Sequence, residues 1–168
     1  TREIDRMIKA AHIIPQGLKE EELDMPLGLG SGAGVIFGAT GGVMEAALRT
    51  ASYFVTGKNP DPDAFRQVRG MQGWREAEFD LAGQTLKVAM VNGLGNARKL
   101  LKKLKKGKVS YDFVEVMACP GGCVGGGGQP IHDGYEMAPE RGDILYRLDR
   151  QSQLRVSHEH PSLKQSYA

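Results

Sequence analysis

The spacing of hydrophobic residues changes along the chain between a helical and a strand period, and these changes predict the secondary structure. Apolar residues recur at helical spacing over residues 2–11, which predicts an amphipathic helix capped by Thr1. Residues 43–55 are apolar on nearly every side of a helix, and Gly57 follows them. We therefore expect this second helix to be buried on most of its surface.

Two adjacent segments have the pattern of strands joined by a tight turn. Residues 74–81 alternate between apolar and polar side chains, which predicts a half-buried strand. Residues 82–84 are Ala-Gly-Gln, which suits a hairpin turn, and residues 86–91 form a more continuously apolar strand.

The segment after this hairpin predicts a parallel pair of strands. A helix capped by Asn96 and ended by Gly107 precedes a strand over residues 113–117. A strand, a helix and a second strand over about 30 residues form a βαβ unit, whose strands are parallel. Residues 143–148 are a weaker strand candidate. The pattern predicts an α/β fold with a mostly parallel twisted sheet and flanking helices.

Length and composition limit the function classes. The chain has 168 residues, enough for one domain, and its formal net charge of +2 is far from that of a nucleic-acid-binding protein. Glycines and a glutamate interrupt the longest apolar stretch, residues 35–48, so we expect no membrane span. No basic segment followed by an apolar core opens the chain, which favours a cytoplasmic location, with the periplasm as the alternative. Two cysteines exclude a scaffold of several disulfides.

Glycine is the compositional anomaly: the chain has 23, about twice the usual share of roughly 7%. Seven lie between Gly28 and Gly42, and six lie between Gly121 and Gly128. They are interleaved with apolar residues rather than with serine, so neither cluster resembles a flexible linker. We expect the backbone at these places to pass close to another group.

Residues 117–130, with the sequence MACPGGCVGGGGQP, carry the clearest chemical signal. Cys119 and Cys123 follow the carboxyl end of a predicted strand, where ligands bind in open α/β sheets. Thiolates are preferred ligands of iron–sulfur clusters and zinc, and the surrounding glycines allow backbone N–H groups to approach a cluster. The spacing therefore predicts a soft metal centre.

Three other interpretations fit this pair of cysteines. They are ordinary buried cysteines in a turn, a local disulfide, or half of a zinc site. The chain has no second cysteine pair, and its histidines, His12, His132, His158 and His160, are not grouped as zinc ligands. A site with four ligands therefore needs two more from elsewhere.

A basic segment lies between the hairpin and the cysteines. Seven lysines and arginines occur between residues 98 and 108, around Leu100, Leu101 and Leu104. The simplest interpretation is the solvated face of an amphipathic helix. The alternative is a docking patch for an acidic electron carrier.

Residues 115–130 resemble the third cysteine signature of the iron-only, or [FeFe], hydrogenases, a segment of the type MAC-x-GGC-x-GGGQP. Residues 31–49, SGAGVIFGATGGVMEAALR, are similar to the glycine-rich segment that precedes this signature in the family. Residues 67–70 and 145–161 resemble two further segments, so the resemblance covers nearly the whole chain.

The resemblance implies a cofactor, the H-cluster, in which a [4Fe-4S] cubane is linked to a diiron subcluster with CO and CN ligands. Cys119 would bind the cubane, and Cys123 would bind the cubane and bridge it to the diiron unit. Met117 and Phe37 would pack beside the diiron unit, with core packing as the alternative for both.

The implied chemistry is the reversible reduction of protons to dihydrogen, with a ferredoxin, NAD(P) or another carrier exchanging the electrons. Gly121 and Gly122 would let the backbone lie against the cluster. The alternative function is a non-enzymatic, hydrogenase-like protein that assembles or carries iron–sulfur clusters. The GGGQP run and Met117 favour the enzyme, because they would shape a diiron pocket that a cluster carrier does not need.

The family also carries TSCCP and MPC-x-x-K segments that supply the other cluster ligands, and neither occurs in this chain. The resemblance therefore implies that residues 1–168 form a single lobe, the carboxyl-terminal half of the H-cluster domain. Activity would require the other half, here called the companion lobe, on the same or a separate chain. We expect a large apolar surface lined by residues 28–42 where the companion lobe would sit.

Overall fold

The computed structural model describes residues 1–22, 24, 25, 28, 30–130 and 132–168, which form helices around a small sheet. No helix among these residues is both long enough and apolar enough to cross a bilayer. The helices are α1 (Arg2–Ala10), α2 (Gly32–Val35), α3 (Gly42–Thr56), α4 (Leu94–Lys105), α5 (Ala138–Gln151) and α6 (Pro161–Ser166). The strands are β1 (Trp74–Leu81), β2 (Gln84–Asn92) and β3 (Phe113–Met117).

The predicted hairpin is confirmed. β1 and β2 pair antiparallel along their whole length. Ala82 and Gly83 form the turn with φ values of 54° and 85°, the left-handed conformation that matches the twist of paired strands. Ala77 and Phe79 are buried, whereas the acidic residues between and after them are exposed.

The predicted parallel pair is also confirmed, since β3 runs parallel to β2 and α4 connects the two strands. Val88 lies opposite Phe113, and Asn92 lies opposite Met117. The fold class is therefore α/β with flanking helices. The parallel arrangement holds for β2 and β3, whereas β1 adds an antiparallel edge, so the described sheet is mixed.

The main hydrophobic core lies between α3 and one face of the sheet. Met44 and Leu48 of α3 pack with apolar residues of β1 and β2, and Phe65 and Phe79 meet edge to face at 5.2 Å. α4 covers the opposite face through Leu100 and its neighbours. The α3 helix is buried as predicted along its first turns, but it emerges into solvent near its end.

The prediction of a strand over residues 143–148 is wrong, because a short apolar run in a helix resembles a strand there. These residues lie inside α5. The buried side of α5 includes Ala138, Gly142, Tyr146 and Asp149, which recur at helical spacing. Only one or two turns of this pattern fall inside the run itself, so the run alone resembles a strand.

The start of α4 also differs from the prediction. Gly93 occupies the cap position, and Asn96 lies inside the first turn, where its Nδ2 donates to Asn92 O at 2.9 Å. Of the three predicted leucines, Leu100 is buried but Leu101 is 54% exposed. The apolar stripe of α4 is therefore narrower than the sequence pattern indicates.

The helix at the amino end forms as predicted, but its apolar side is not buried. α1 contains no buried residue, and Thr1 holds the cap position without a side-chain hydrogen bond. By contrast, the described part of residues 28–42 is largely buried, and Leu29 lies outside the described residues. The large apolar side chains that are exposed within residues 1–25, here called the amino-terminal apolar face, are those of Ile4, Met7, Ile13, Ile14, Leu18 and Met25.

A network of buried charges connects α3 to α5. Arg49 is fully buried and pairs with Glu45 at 2.7 Å and with Asp149 at 2.8 Å. Arg69 and Arg155 extend the network, because Arg69 pairs with Glu45 and Arg155 pairs with Asp149. Burial acts to raise the pKa of Asp149, but hydrogen bonds from the two arginines hold that pKa below its usual value.

Candidate metal centre

The two cysteines lie in the loop that leaves the carboxyl end of β3, as predicted. Met117 ends the strand, and Gly122 N then donates to Cys119 O at 3.1 Å, which closes a tight turn. A 3₁₀ turn begins at Cys123, and Gly126 N donates to its carbonyl at 3.0 Å. Cys119 is half-buried and Cys123 is exposed, and both are free thiols rather than a disulfide.

The two glycines between the cysteines adopt a backbone conformation that side chains disfavour. The φ values of Gly121 and Gly122 are 79° and 94°. A Cβ at Gly122 would lie 2.7 Å from Gly38 O and 2.8 Å from Thr40 N, and one at Gly121 would lie 2.7 Å from Met71 Cε. The packing of the protein itself therefore requires both glycines. Their contact with a cluster stays a prediction.

The first glycine-rich segment packs directly against the cysteine loop. Thr40 N donates to Gly121 O at 3.0 Å, shortly before α3 begins. Gly41 has a φ of 91°, and a Cβ at Gly42 would lie 1.7 Å from Ile36 O. The close approach that the glycine content predicts is thus an approach of the backbone to other parts of the backbone.

Phe37 and Met117 belong to the two segments that meet here. Phe37 is 45% exposed, so core packing within the described chain does not explain it. Met117 is half-buried, and its carbonyl accepts from Gly93 N at 2.9 Å. Their predicted place beside a diiron unit is compatible with these positions and stays a prediction.

Glu115 lies in β3, before the cysteine loop, and connects this strand to the glycine-rich segment. It is the buried residue of β3, with 5% of its surface exposed. Its Oε1 accepts from Gly41 N at 2.6 Å, and its Oε2 accepts from Met44 N at 2.7 Å. Burial raises the pKa of Glu115 above its usual value, whereas the backbone donors act in the opposite direction.

The described residues offer two soft ligands and no complete metal site. Within the described ranges, no group of three or more histidine, cysteine, aspartate or glutamate side chains could hold a metal ion. A Cβ at Gly126 would lie 3.7 Å from Cys119 Sγ, so backbone already approaches this sulfur. Two thiols in a loop with little side-chain bulk fit part of an iron–sulfur cluster whose other ligands come from elsewhere.

A large cleft lies near the loop but does not belong to the thiols. It has a volume of about 960 Å³ and opens between α5 and residues 66–71. Gly121 and Thr40 line it, together with Arg147 and Arg150, but neither cysteine does. We therefore do not assign this cleft to the metal centre.

The sequence pattern did not single out the charges that support the site. A signal was present, because Glu45 and Arg49 are spaced one helical turn apart in an otherwise apolar helix. Glu115 likewise interrupts an apolar strand. A charged residue at a position whose neighbours predict burial is expected to have a specific partner.

Comparison with known proteins gives consistent matches along the chain. The family described as iron only hydrogenase large subunit, C-terminal domain, matches residues 1–127. The NADP-reducing hydrogenase subunit HndD of Solidesulfovibrio fructosivorans is 46% identical in an alignment 168 residues long that covers 99% of this chain and 28% of that protein. Iron hydrogenase 1 of Clostridium pasteurianum is 43% identical in an alignment 172 residues long that covers 99% of this chain and 30% of that protein.

A more distant relative is named for a different role. The cytosolic Fe-S cluster assembly factor narfl of Xenopus tropicalis is 32% identical over 162 residues, covering 89% of this chain and 33% of that protein. The chain thus spans about a third or less of the length of these curated relatives.

A solved structure agrees with the sequence matches. A variant of [FeFe]-hydrogenase HydA1 from Chlamydomonas reinhardtii has a TM-score of 0.73 and 42% identity, covering 98% of this chain and 48% of that chain. The mixed sheet, its flanking helices and the cysteine loop therefore occur in a chain similar to a hydrogenase both in sequence and in fold. Because the family match covers most of its residues, this chain belongs to the family described as iron only hydrogenase large subunit, C-terminal domain.

Proposed function

We propose that this chain supplies part of the H-cluster site of an iron-only hydrogenase, which interconverts protons and dihydrogen. One observation carries the proposal: two free thiols lie in a glycine-lined loop that docks on a second glycine-rich segment. A structural turn needs neither thiol, and a zinc site of this chain would need ligands that the described residues do not bring together.

In this proposal the two cysteines have different roles. Cys119 would hold the [4Fe-4S] cubane, and Cys123 would hold both the cubane and the diiron subcluster with its CO and CN ligands. When bound, the H-cluster would relay electrons between the carrier and the iron site at which protons and dihydrogen interconvert. Met117 and Phe37 hold apolar surface against the diiron side and exclude water from it.

The glycines between the ligands keep the loop close to the cofactor. The Cβ positions of Gly121 and Gly122 face Met71, Ala138 and the backbone of residues 38–40, so these glycines let the cysteine loop pack closely on the segments around it. N–H groups directed at cluster sulfurs tune the potential of such clusters. The chain's own contribution is thus to bind, orient and shield the cofactor.

We further propose that residues 1–168 are one lobe and that the companion lobe supplies the remaining cluster ligands. The amino-terminal apolar face supports this, because its six exposed apolar side chains would be covered by the companion lobe. Arg2 N donates to Gly128 O at 2.9 Å, so α1 begins beside the cysteine loop. A lobe that covers α1 is therefore well placed to cover the exposed Cys123 as well.

The exposed side of α4 is the proposed docking patch for the electron carrier. Every lysine and arginine between residues 98 and 108 is exposed, and Leu101 lies among them. A basic patch around an exposed apolar residue suits an acidic carrier such as a ferredoxin. An NAD(P)-linked partner subunit is the alternative, and the cytoplasm stays the predicted location.

The test is to co-express this chain with the matching N-terminal part of Iron hydrogenase 1 and to mature the complex. We expect infrared bands of bound CO and CN and hydrogen evolution from a reduced carrier. The complex that carries Cys123→Ser is the negative control, since it lacks one of the two proposed ligands. A complex that assembles and holds a cubane but shows neither the bands nor hydrogen would contradict the proposal.

The second candidate function is iron–sulfur cluster assembly, which the match to narfl favours. In that case the complex would hold a cubane without a diiron unit and would transfer it to an apo iron–sulfur protein. Transfer of iron and sulfide to an apo-ferredoxin, without infrared bands of CO and CN, would support this function over the hydrogenase.

A further inference from the structure

Helix α3 begins without a cap of its own. Its cap residue is Gly41, which has no side chain to accept a hydrogen bond from the first turn. The acceptors come instead from Glu115, whose two carboxylate oxygens take the N–H groups of Gly41 and Met44. A strand residue thus caps a helix that lies 71 and 74 positions earlier in the chain.

This cap joins the two segments that build the candidate metal centre. Glu115 stands four positions before Cys119, on the strand that leads directly into the cysteine loop. Gly41 follows Thr40, whose N–H donates to Gly121 O at 3.0 Å. The glycine-rich segment is therefore tied to β3 before the loop and to the loop itself between the cysteines.

Capping α3 with a buried carboxylate has a high desolvation cost. A buried carboxylate loses its hydration, and burial accordingly raises the pKa of Glu115. A serine or aspartate at position 41 would cap α3 locally, but a Cβ there would lie 2.1 Å from Val68 O. The close packing of Gly41 excludes a local cap and leaves the task to the strand.

We propose that Glu115 is a positioning residue, whose carboxylate fixes the glycine-rich segment against the cysteine loop and thereby sets the position and cover of Cys119. The inference rests on the proposed function only where it concerns the cluster. Its direct consequence concerns the Cys119 thiol, which is half-buried in the structure with the cap intact, whereas the Cys123 thiol is already exposed.

The test compares the alkylation rates of the two thiols by iodoacetamide, read by mass spectrometry on the full chain. Glu115→Gln keeps the shape of the side chain, but its amide nitrogen faces a backbone N–H and accepts nothing. We expect the rate at Cys119, relative to Cys123, to rise about tenfold, the equivalent of one lost hydrogen bond to a charged group. Cys123 serves as the internal reference.

The matched control is Asp112→Asn, a carboxylate that also accepts a backbone N–H, from Lys87 at 2.8 Å, but at the opposite end of β3 from the cysteine loop. At an equal folded fraction we expect this control to leave the ratio of the two rates within about twofold of the parent protein. An unchanged ratio in Glu115→Gln, or an equal rise in both variants, would overturn the proposal.

Amide hydrogen exchange on the unmodified chain keeps the proposal testable if Glu115→Gln does not fold. The amides of Gly41 and Met44 should exchange at least about tenfold more slowly than that of Gly95, in the first turn of α4, which has no side-chain cap. Equal exchange would overturn the proposal. Neither readout involves a cluster, so a failure of the hydrogenase assignment leaves both results interpretable.

Discussion

Gly122 is the residue at which the cysteine loop is most constrained by an absent side chain. Its φ is 94°, and a Cβ would lie within 3 Å of the backbone at Gly38 and Thr40. We predict that Gly122→Ala lowers the free energy of unfolding by about 1–3 kcal/mol through backbone strain alone, before the displacement of the neighbouring segment is counted. Urea denaturation of the chain measures this difference.

Gly127→Ala is the control for this prediction, since no atom lies within 4 Å of the added carbon and its φ is not positive. Its stability should stay within about 1 kcal/mol of the parent protein.

Gly122→Val in the assembled complex should lose its cluster while the far-ultraviolet dichroism stays near normal. Full cluster retention would mean that the loop turns without approaching a cofactor.

The two cysteines are predicted to fail in different ways when each is replaced by serine in the assembled complex. Serine oxygen is a harder ligand than sulfur and suits iron–sulfur iron poorly. Cys119→Ser should retain some cubane on three thiolates with a shifted potential, whereas Cys123→Ser should lose the infrared bands of the diiron unit. The reverse pattern would exchange the two assigned roles, and full hydrogen evolution by either variant would contradict both.

The sequence shows the cysteines but not the residue that supports them, and the reason is distance along the chain. Cys119 and Cys123 are recognisable because their motif is local, and their loop lies where the preceding strand pattern predicts it. The partners of Glu115 are 74 and 71 residues away. A single sequence indicates that a buried glutamate needs a partner, but it does not say which backbone groups supply one.

Between elements, the buried ion pair of Arg49 in α3 and Asp149 in α5 should stabilise the fold by more than an exposed ion pair does. Both side chains are fully buried, so Asp149→Asn removes one of the two carboxylates that neutralise the guanidinium group and leaves it with Glu45 alone. We predict a loss of about 3–5 kcal/mol in the free energy of unfolding at pH 7. Asp5→Asn, in the exposed pair with Lys9, should cost no more than about 0.5 kcal/mol.

The same network predicts how stability depends on pH. The pKa values of Asp149 and Asp63 are lowered in the folded chain by their arginine partners, against the effect of burial. Their contribution is therefore complete above the unfolded value of about 3.9 and is lost as the pH falls through the lower folded values. The stability difference between the parent protein and Asp149→Asn should shrink as the pH is lowered from about 5 towards 2. Urea midpoints across this range measure it, and a constant difference would contradict the assigned charge.

Elements were predictable where one period persisted over a whole segment. The alternation of residues 74–81 gave β1 with the same bounds, and Gly57 ends α3 at a φ of 72°. The sequence pattern did not predict α5, because the buried positions of this helix include Gly142 and Asp149, which are not hydrophobic residues. The Asp149 side chain is buried because it pairs with Arg49.

At the scale of the molecule, the described chain leaves exposed what a larger assembly would cover. The amino-terminal apolar face and Phe37 are open to solvent, and Cys123 is exposed beside them in the loop that α1 contacts through Arg2. The chain also spans 28% of HndD and 30% of Iron hydrogenase 1, two of the hydrogenases that it matches. A companion lobe that covers an apolar interface near the cluster loop stays a prediction: the exposed apolar side chains are those of the amino-terminal apolar face and Phe37, whereas most other described residues of 28–42 are buried.

The number of thiols in the chain limits what it can bind when it is isolated. A [4Fe-4S] cubane takes four protein thiolates, and this chain has two cysteines, of which Cys123 is exposed to solvent and to chelators. We predict that the chain reconstituted alone with iron and sulfide retains no chelator-resistant cluster, and that addition of the companion lobe produces one. Two copies could together supply four thiolates, so native mass spectrometry must accompany the iron and sulfide analysis. A stoichiometric, chelator-resistant cubane on a monomer would contradict the two-lobe assignment, whereas a cluster found only on a dimer would show that the thiol count, and not the fold of the loop, limits binding.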